Sequence, residues 1–231
     1  MSTAPEAREP GPAPGAVTRI ALRPIANPLP LGFLALAGAT LLLSGLQLGW
    51  VELPESQTVG LIIVAFVVPL QFVTAIFGFL ARDVVAGTGM AILSGTWLSI
   101  GLVTLTGVPG STSDALGLLL ILAAIAMLVP AAAATGKLVA AAVLTTTALR
   151  FAVTALYQLT GSDEWKTTAG IVGLALCALA VYTALAMALE ESHRRTVLPL
   201  GRRQTGEAAI TADLARQVRD VEHEAGVRAQ L

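Results

Sequence analysis

Six long apolar runs, separated by short polar loops, occupy residues 31 to 190 of this 231-residue chain. An α-helix needs about 20 apolar residues to cross roughly 30 Å of hydrocarbon, because each residue rises about 1.5 Å. Hydrophobic residues make up 55% of the chain and charged residues only 13%, too few for the surface of a globular domain. The pattern predicts an all-α polytopic membrane protein with spans at residues 31–50, 58–81, 88–107, 114–134, 138–159 and 168–190.

Charges outside the spans are divided unequally between the two sides of the membrane, and Lys and Arg in short loops mark the cytoplasmic side. One side receives most of the basic residues: Arg8, Arg19, Arg23, Arg82, Lys137, Arg194, Arg195, Arg202 and Arg203. The opposite loops have one base, Lys166, among five acidic residues: Glu52, Glu55, Asp114, Asp163 and Glu164. We therefore predict cytoplasmic N and C termini and a multi-pass protein of the plasma (cytoplasmic) membrane.

The two ends of the chain differ from the predicted transmembrane domain, residues 29–200. Residues 1–28 are rich in Pro, Ala and Gly and lack a cleavable signal, which predicts a disordered cytoplasmic tail. In residues 201–231, apolar side chains recur at helical spacing between charged ones, which predicts an amphipathic cytoplasmic helix. Its apolar stripe would lie on the membrane surface, on the helix ends or on a neighbouring subunit, and its mixed charge favours packing on protein over lipid.

Small residues and prolines indicate where the helices approach each other and where they deviate from regularity. Close helix approach in lipid uses small residues about four apart. The candidate steps are Gly45 with Gly49, Gly95 with Ser99, and Gly170 with Gly173. Pro69 and Pro130 fall inside the second and fourth spans, where each removes a backbone hydrogen bond and is expected to bend its helix.

One charge lies deep in the membrane, Arg150 in the fifth span. Thr147, Thr154 and Gln158 share its helical face, so this polar face is expected to point toward the bundle interior. No Asp or Glu lies within a span except Glu190 at the rim. Arg150 could be the counter-charge of a permeating anion, a structural group bonded to carbonyls and hydroxyls, or a group with a proton or lipid role.

Features of other functional classes are missing from the sequence. It has no Walker motif, no paired catalytic carboxylates, no Gly-x-Ser-x-Gly and no Cys or His metal spacing, so we expect neither an enzyme nor a cofactor or metal. The single cysteine, Cys177, can form no intrachain disulfide. Both histidines lie in the predicted cytoplasmic tail, which leaves no proton relay at mid-membrane. The tails are too weakly basic to predict nucleic-acid binding.

Three segments together resemble a known family. Residues 27–33, Asn-Pro-Leu-Pro-Leu-Gly-Phe, are similar to the Asn-Pro-x-Pro-Leu-Gly signature of the acetate uptake transporters, also called succinate and acetate permeases. Residues 196–201, Thr-Val-Leu-Pro-Leu-Gly, resemble the sequence that follows the last helix in bacterial members, and residues 95–99 resemble a stretch of the third helix. The motif residues of the first segment are Asn27, Pro28, Pro30 and Gly32. The two prolines are expected to hold an extended entry into the first span.

The resemblance implies six helices around a pore in each protomer, assembly as a hexamer, and transport of acetate, other short monocarboxylates or succinate. Family members narrow the pore with a Phe, a Tyr and a Leu, and the matching positions here are Leu36, Leu93 and Thr147. The expected pathway has an attractive charge at Arg150, hydrogen bonds from Gln71, Ser94 and Thr147, and a dry constriction at Leu36 and Leu93. Trp97 is expected to be a further residue of this pathway.

The function expected from these observations is transmembrane transport of acetate or a related short-chain carboxylate, as a channel or a proton-linked carrier. The expected partners are the small carboxylate, the lipid bilayer and further copies of the chain. Two alternatives stay open: a non-transporting membrane sensor or scaffold of the same fold, and a channel for another small solute such as ammonium.

Overall fold

The computed structural model describes residues 25–134, 136–193 and 195–203. These residues contain six helices long and apolar enough to cross a membrane, as predicted. They are α1 (Leu29–Gln47), α2 (Leu53–Leu80), α3 (Val84–Thr106), α4 (Asp114–Ala133), α5 (Leu138–Thr160) and α6 (Asp163–His193). Nearly all of the predicted N-terminal tail and of the predicted C-terminal amphipathic helix lies outside the described residues.

Helix α6 begins five residues earlier than its apolar run, so the predicted start at residue 168 was wrong. Asp163 and Glu164 occupy its first turn, where negative charge is favourable because the unpaired N–H groups and the helix dipole are positive. Ser162 accepts a hydrogen bond from the Glu164 N–H at 3.2 Å. Polar capping therefore extends the helix beyond what hydrophobicity alone defines.

The entry to α1 also differs from the expectation. Pro28 has helical dihedral angles, and the helix starts at Leu29, so the predicted extended entry was wrong. Pro30 lies in the first turn, where its missing N–H has no intrahelical partner to lose. The side-chain oxygen of Asn27 accepts the Leu29 N–H at 3.1 Å. The motif is thus a compact helix cap.

Helix α2 contains the irregularity expected from Pro69. Residues Ile63–Val67 form a π-helical turn, which the Val68 N–H closes by donating to the Ile63 carbonyl. Pro69 follows at once and has no N–H to donate, so regular bonding resumes only beyond it. The Ser94 hydroxyl donates to the Val68 carbonyl at 3.1 Å and ties this segment to α3.

The six helices form a closed ring. Each packs on its sequence neighbours, and α1 packs on α6 to complete the circle. Large apolar side chains fill the interior of the ring, including Phe33, Met90, Leu120, Met127 and Leu176, all almost fully buried. The outer surface exposes other large apolar side chains, which suits a bilayer.

The predicted small-residue steps have mixed outcomes. Gly170 and Gly173 pack tightly, because a Cβ on Gly170 would lie 2.6 Å from the Leu48 side chain. Gly95 faces outward, and a Cβ there would meet nothing within 4 Å, so it makes no close helix contact within this chain. Gly49 lies beyond the end of α1 at a φ of +74°, so the predicted helical step from Gly45 was wrong.

The ring has two ends. The proximal end carries residues 25–28, the α2–α3 turn, the α4–α5 connection and residues 195–203, and the distal end carries the other three loops. At the proximal end, residues 195–203 form a strap across the start of α5. The Gly201 and Leu200 carbonyls accept the N–H groups of Leu138 and Val139 at 3.2 and 3.3 Å. Otherwise unpaired N–H groups at the start of α5 are thereby satisfied.

Candidate functional site

Arg150 is fully buried between α5, α6 and α1. One terminal nitrogen donates to the Ala169 carbonyl, and the other lies 3.5 Å from the Ser44 hydroxyl. Its Nε has no hydrogen-bond partner, and the described residues supply no carboxylate within ion-pair distance. The guanidinium is therefore a buried cation held by neutral groups, and its Nε–H is unpaired.

Two further buried groups of the predicted pathway have unpaired polar atoms. The Trp97 indole packs edge-on against Phe151, with ring centroids 5.9 Å apart, and its Nε1 has no acceptor. Gln71 is fully buried, and neither its amide oxygen nor its amide nitrogen has a partner among the described residues. Buried polar groups are normally hydrogen-bonded. Each of these unpaired atoms is therefore available to bind a water molecule or a ligand.

The predicted hydroxyl groups differ from these. Ser94 donates to the Val68 carbonyl, and Thr147 donates to the Val143 carbonyl at 2.7 Å. A hydroxyl has one hydrogen, so both groups have only lone pairs left to offer. Carboxylates require donors, and the candidate donors in the middle of the ring reduce to Gln71, Trp97 and Arg150.

Helical rise gives the heights of these groups. Gln71 and Leu93 each lie nine residues, about 14 Å, from the proximal end of their helices, and Leu36 lies about 10 Å from it. Trp97 and Arg150 lie about 14 to 15 Å from the distal end. These predicted residues thus lie near mid-height of their helices, with the buried side chains of Leu36 and Leu93 in the proximal half.

A cavity of about 80 Å³ lies between these residues and the distal end. All six helices contribute to its wall, together with the α3–α4 loop. Its polar lining consists of Gln47, Ser56, Thr104, Ser111, Thr154, Tyr157, Gln158 and Lys166. Thr154 stands one turn from Arg150 on α5 and donates to its backbone carbonyl at 2.8 Å, so the cavity ends about one helical turn from Arg150 along α5.

Gln47, Ser56 and Lys166 are among the cavity residues that the sequence analysis did not identify as site residues. The Gln47 side-chain oxygen and the Ser56 hydroxyl are buried without partners, and Lys166 is half-buried at the wall. Lys166 carried a signal, because it is the one base in the distal loops. Gln47 and Ser56 carried no such signal, since polar residues are common at the ends of membrane spans. Within the described ranges, no group of three His, Cys, Asp or Glu side chains could hold a metal ion.

The six long apolar helices define a six-span, multi-pass membrane protein. The chain belongs to the GPR1/FUN34/yaaH family, whose profile matches residues 10–201. It is also similar to a solved structure described as the bacterial acetate channel SatP, with a TM-score of 0.68 and 25% sequence identity. That match covers 77% of this chain and all of the channel chain. No curated protein sequence matches this chain.

These findings confirm the family resemblance carried by residues 27–33, 95–99 and 196–201. They also place the chain in a family of channels and transporters and not of enzymes, as predicted.

Proposed function

We propose that this protein transports acetate or a related short-chain carboxylate, including succinate, through the interior of its helix ring. The observation that carries the proposal is the set of unpaired donors on Gln71, Trp97 and Arg150 at mid-height in a chain of this family. Together with the similarity to an acetate channel, it favours a carboxylate over other small solutes.

Arg150 supplies the physical reason for an anion. A charge at the centre of a bilayer costs about 2.5 to 3.5 kcal/mol on insertion scales. The described contacts of Arg150 are neutral groups, which compensate this cost less well than a carboxylate does. A passing carboxylate would accept from the free Nε and balance the charge. In this proposal Gln71 and Trp97 replace part of the anion's hydration, and Leu36 and Leu93 form the dry constriction.

The side chains at mid-membrane limit how a proton could cross together with the substrate. The spans hold no His, Asp or Glu at that depth, so a side-chain proton relay has no members. The carboxylate is proposed to move either as the anion down its gradient or as the neutral acid, which carries its own proton. The first corresponds to a channel and the second to transport linked to the pH gradient.

The surroundings of the pathway are part of the same proposal. We propose that the proximal end, with both termini, faces the cytoplasm and that the membrane is the plasma membrane; the basic residues of the proximal end support this orientation. Exposed apolar side chains on the outer faces of the helices suit contact with lipid and with further copies of the chain, as a hexamer.

Uptake into proteoliposomes tests the proposal. Radiolabelled acetate and succinate are supplied to vesicles with the wild type, Arg150→Ala, Arg150→Lys or Leu149→Ala, with and without an imposed pH gradient. Leu149 is the matched control, since it is the neighbouring residue on α5 and exposes its side chain on the outer face. Circular dichroism and gel filtration check that each variant is folded.

We expect uptake by the wild type and Leu149→Ala, a loss of at least tenfold in Arg150→Ala, and partial retention in Arg150→Lys. Unchanged uptake in folded Arg150→Ala would refute the role of the charge. No uptake of either acid by folded wild type would refute the transport proposal in favour of a sensor, a scaffold or another solute. Dependence on the pH gradient separates proton-linked carriage from a channel.

A further inference from the structure

The charged side chains of the distal end are sorted by sign. Its five carboxylates, on Glu52, Glu55, Asp114, Asp163 and Glu164, are all exposed, and none of them lines the cavity. The single base, Lys166, is half-buried and does line it. The described contacts give Lys166 no ion pair with any of these acids. A lysine in the first turn of a helix is disfavoured by the helix dipole, so helix stability does not explain its placement.

The parts of the cavity wall that α1 and α2 contribute supply two further polar groups. Ser56, 5% exposed, has a hydroxyl without a partner, and Gln47, 7% exposed, has an unpaired side-chain oxygen. The oxygen and nitrogen of an amide can exchange places by a half-turn of the side chain, which would present the amide N–H₂ to the cavity. An ammonium, a hydroxyl and an amide from α6, α2 and α1 are all groups that can donate to an anion.

We propose that the distal cavity is an entry site that binds a small carboxylate through Lys166, Gln47 and Ser56 before the anion reaches Arg150. This inference rests on the proposed transport function and adds to it a second, separate anion site. A charge at the wall of a narrow cavity concentrates counter-ions there. Lys166 therefore favours anions over cations in the cavity, although the exposed charged residues around it at the distal end are acidic.

The geometry of α6 connects the two sites. Lys166 precedes Ala169 by three residues, so the two lie on one helical face about 4.5 Å apart along the axis. The Ala169 carbonyl accepts from Arg150. About one turn of α6 therefore separates the backbone of Lys166 from the carbonyl that holds the Arg150 guanidinium, so a carboxylate that leaves Lys166 along this face moves toward the second positive charge.

Thiol modification in lipid nanodiscs measures this site without requiring transport. The reporter is Thr104→Cys on the cavity wall, in a Cys177→Ser background that removes the one native thiol. Rates are measured with negatively charged sulfonatoethyl methanethiosulfonate and with its positively charged trimethylammonium analogue, with and without sodium acetate. Lys166→Gln removes the charge and Lys166→Arg retains it. Thr167→Glu is the matched control, since it makes the same change in net charge at the exposed neighbouring residue.

With Lys166 present, we expect the ratio of negative to positive reagent rates to be about tenfold higher than in Lys166→Gln. Acetate should slow modification only where residue 166 is cationic, and Thr167→Glu should shift the ratio by less than about twofold. An unchanged ratio in Lys166→Gln, an equal effect of Thr167→Glu, or acetate protection independent of Lys166 would each overturn the proposal. Acetate protection without acetate flux would support the cavity site and refute the transport proposal. Acetate flux without protection would support transport and refute the cavity site.

Discussion

The guanidinium of Arg150 lies directly against the backbone of Gly173, in space that any other residue would fill. A Cβ on Gly173 would stand 2.8 Å from the Arg150 Cζ and would also overlap the Ser44 hydroxyl. Carbon atoms in contact prefer roughly 3.5 to 4.0 Å, so the clash is severe. The position of the buried cation thus depends on a glycine in the facing helix.

Gly173→Ala is therefore expected to displace Arg150 and to destabilise the fold by about 1 to 3 kcal/mol, the usual cost of overpacking. Carboxylate uptake should fall along with it, because the charge moves off its present position. Thermal unfolding in detergent and proteoliposome uptake measure the two effects. Gly95→Ala is the control, since nothing lies within 4 Å of its Cβ position and alanine favours a helix. Equal melting temperatures for the two variants would contradict the close contact.

Replacing Gln71 with leucine should have opposite effects on stability and on transport. The amide of Gln71 is buried without a partner, and such a group costs about 1 to 3 kcal/mol, so Gln71→Leu is expected to raise the melting temperature. The same change removes a donor from the proposed pathway and should lower uptake. Gln158→Leu provides the contrast, because Gln158 accepts the Ser113 N–H at 2.8 Å and its loss should lower the melting temperature. A less stable Gln71→Leu would show that the amide is bonded structurally.

How far the sequence predicts this fold depends on the kind of signal each element carries. The helices were predicted because an apolar run of about 20 residues has few other uses. The start of α6 was missed because Asp163 and Glu164 end the apolar run while favouring the helix N-terminus. The entry at Pro28 was misjudged because proline is compatible both with an extended segment and with the first turn of a helix.

Sequence analysis could identify a site residue where its residue type is rare in that position of a membrane span. Arg150 is such a residue, since a charge within a span needs an explanation, and its burial follows from the same reasoning. Its partners were not predictable, because the Ala169 carbonyl and the Ser44 hydroxyl become neighbours only when α5, α6 and α1 pack. The cavity residues Gln47 and Ser56 depend likewise on packing, which local sequence does not encode.

Shortening Leu36 should widen the passage for larger acids. Leu36 is fully buried in the ring, whereas Leu34 on the same helix is 52% exposed. Leu36→Ala is expected to raise the ratio of butyrate to acetate uptake several-fold, at a stability cost of about 2 to 5 kcal/mol for a buried leucine. Leu34→Ala removes the same atoms from the outer face and should leave the ratio unchanged. The ratio is the deciding measurement, because lower stability alone reduces both fluxes together. An unchanged ratio in folded Leu36→Ala would place the constriction elsewhere.

The strap at the proximal end is held by an ion pair between Glu190 and Arg202. This pair is expected to contribute more to stability than the pair between Asp83 and Lys137 at the same end. Glu190 accepts from the Arg202 guanidinium, and the two side chains are only 8% and 15% exposed, against 31% and 30% for Asp83 and Lys137. Burial also lowers the pKa of Arg202, so this cation depends more on its carboxylate than an exposed one does. Removing one partner of a buried pair costs about 3 to 5 kcal/mol, and of an exposed pair about 0 to 1.

The Glu190–Arg202 pair retains some exposure, so Glu190→Gln is expected to lower stability by about 2 to 3 kcal/mol, less than for a fully buried pair, and Asp83→Asn by less than about 1 kcal/mol. The loss should be local, because the pair joins the end of α6 to the strap that caps α5. Limited trypsin digestion read by mass spectrometry tests this, since cleavage after Arg202 requires the strap to leave the helix ends. Cleavage there should accelerate about tenfold or more in Glu190→Gln and little in Asp83→Asn. Equal cleavage rates in the two variants would show that the backbone hydrogen bonds of Leu200 and Gly201 hold the strap without the ion pair.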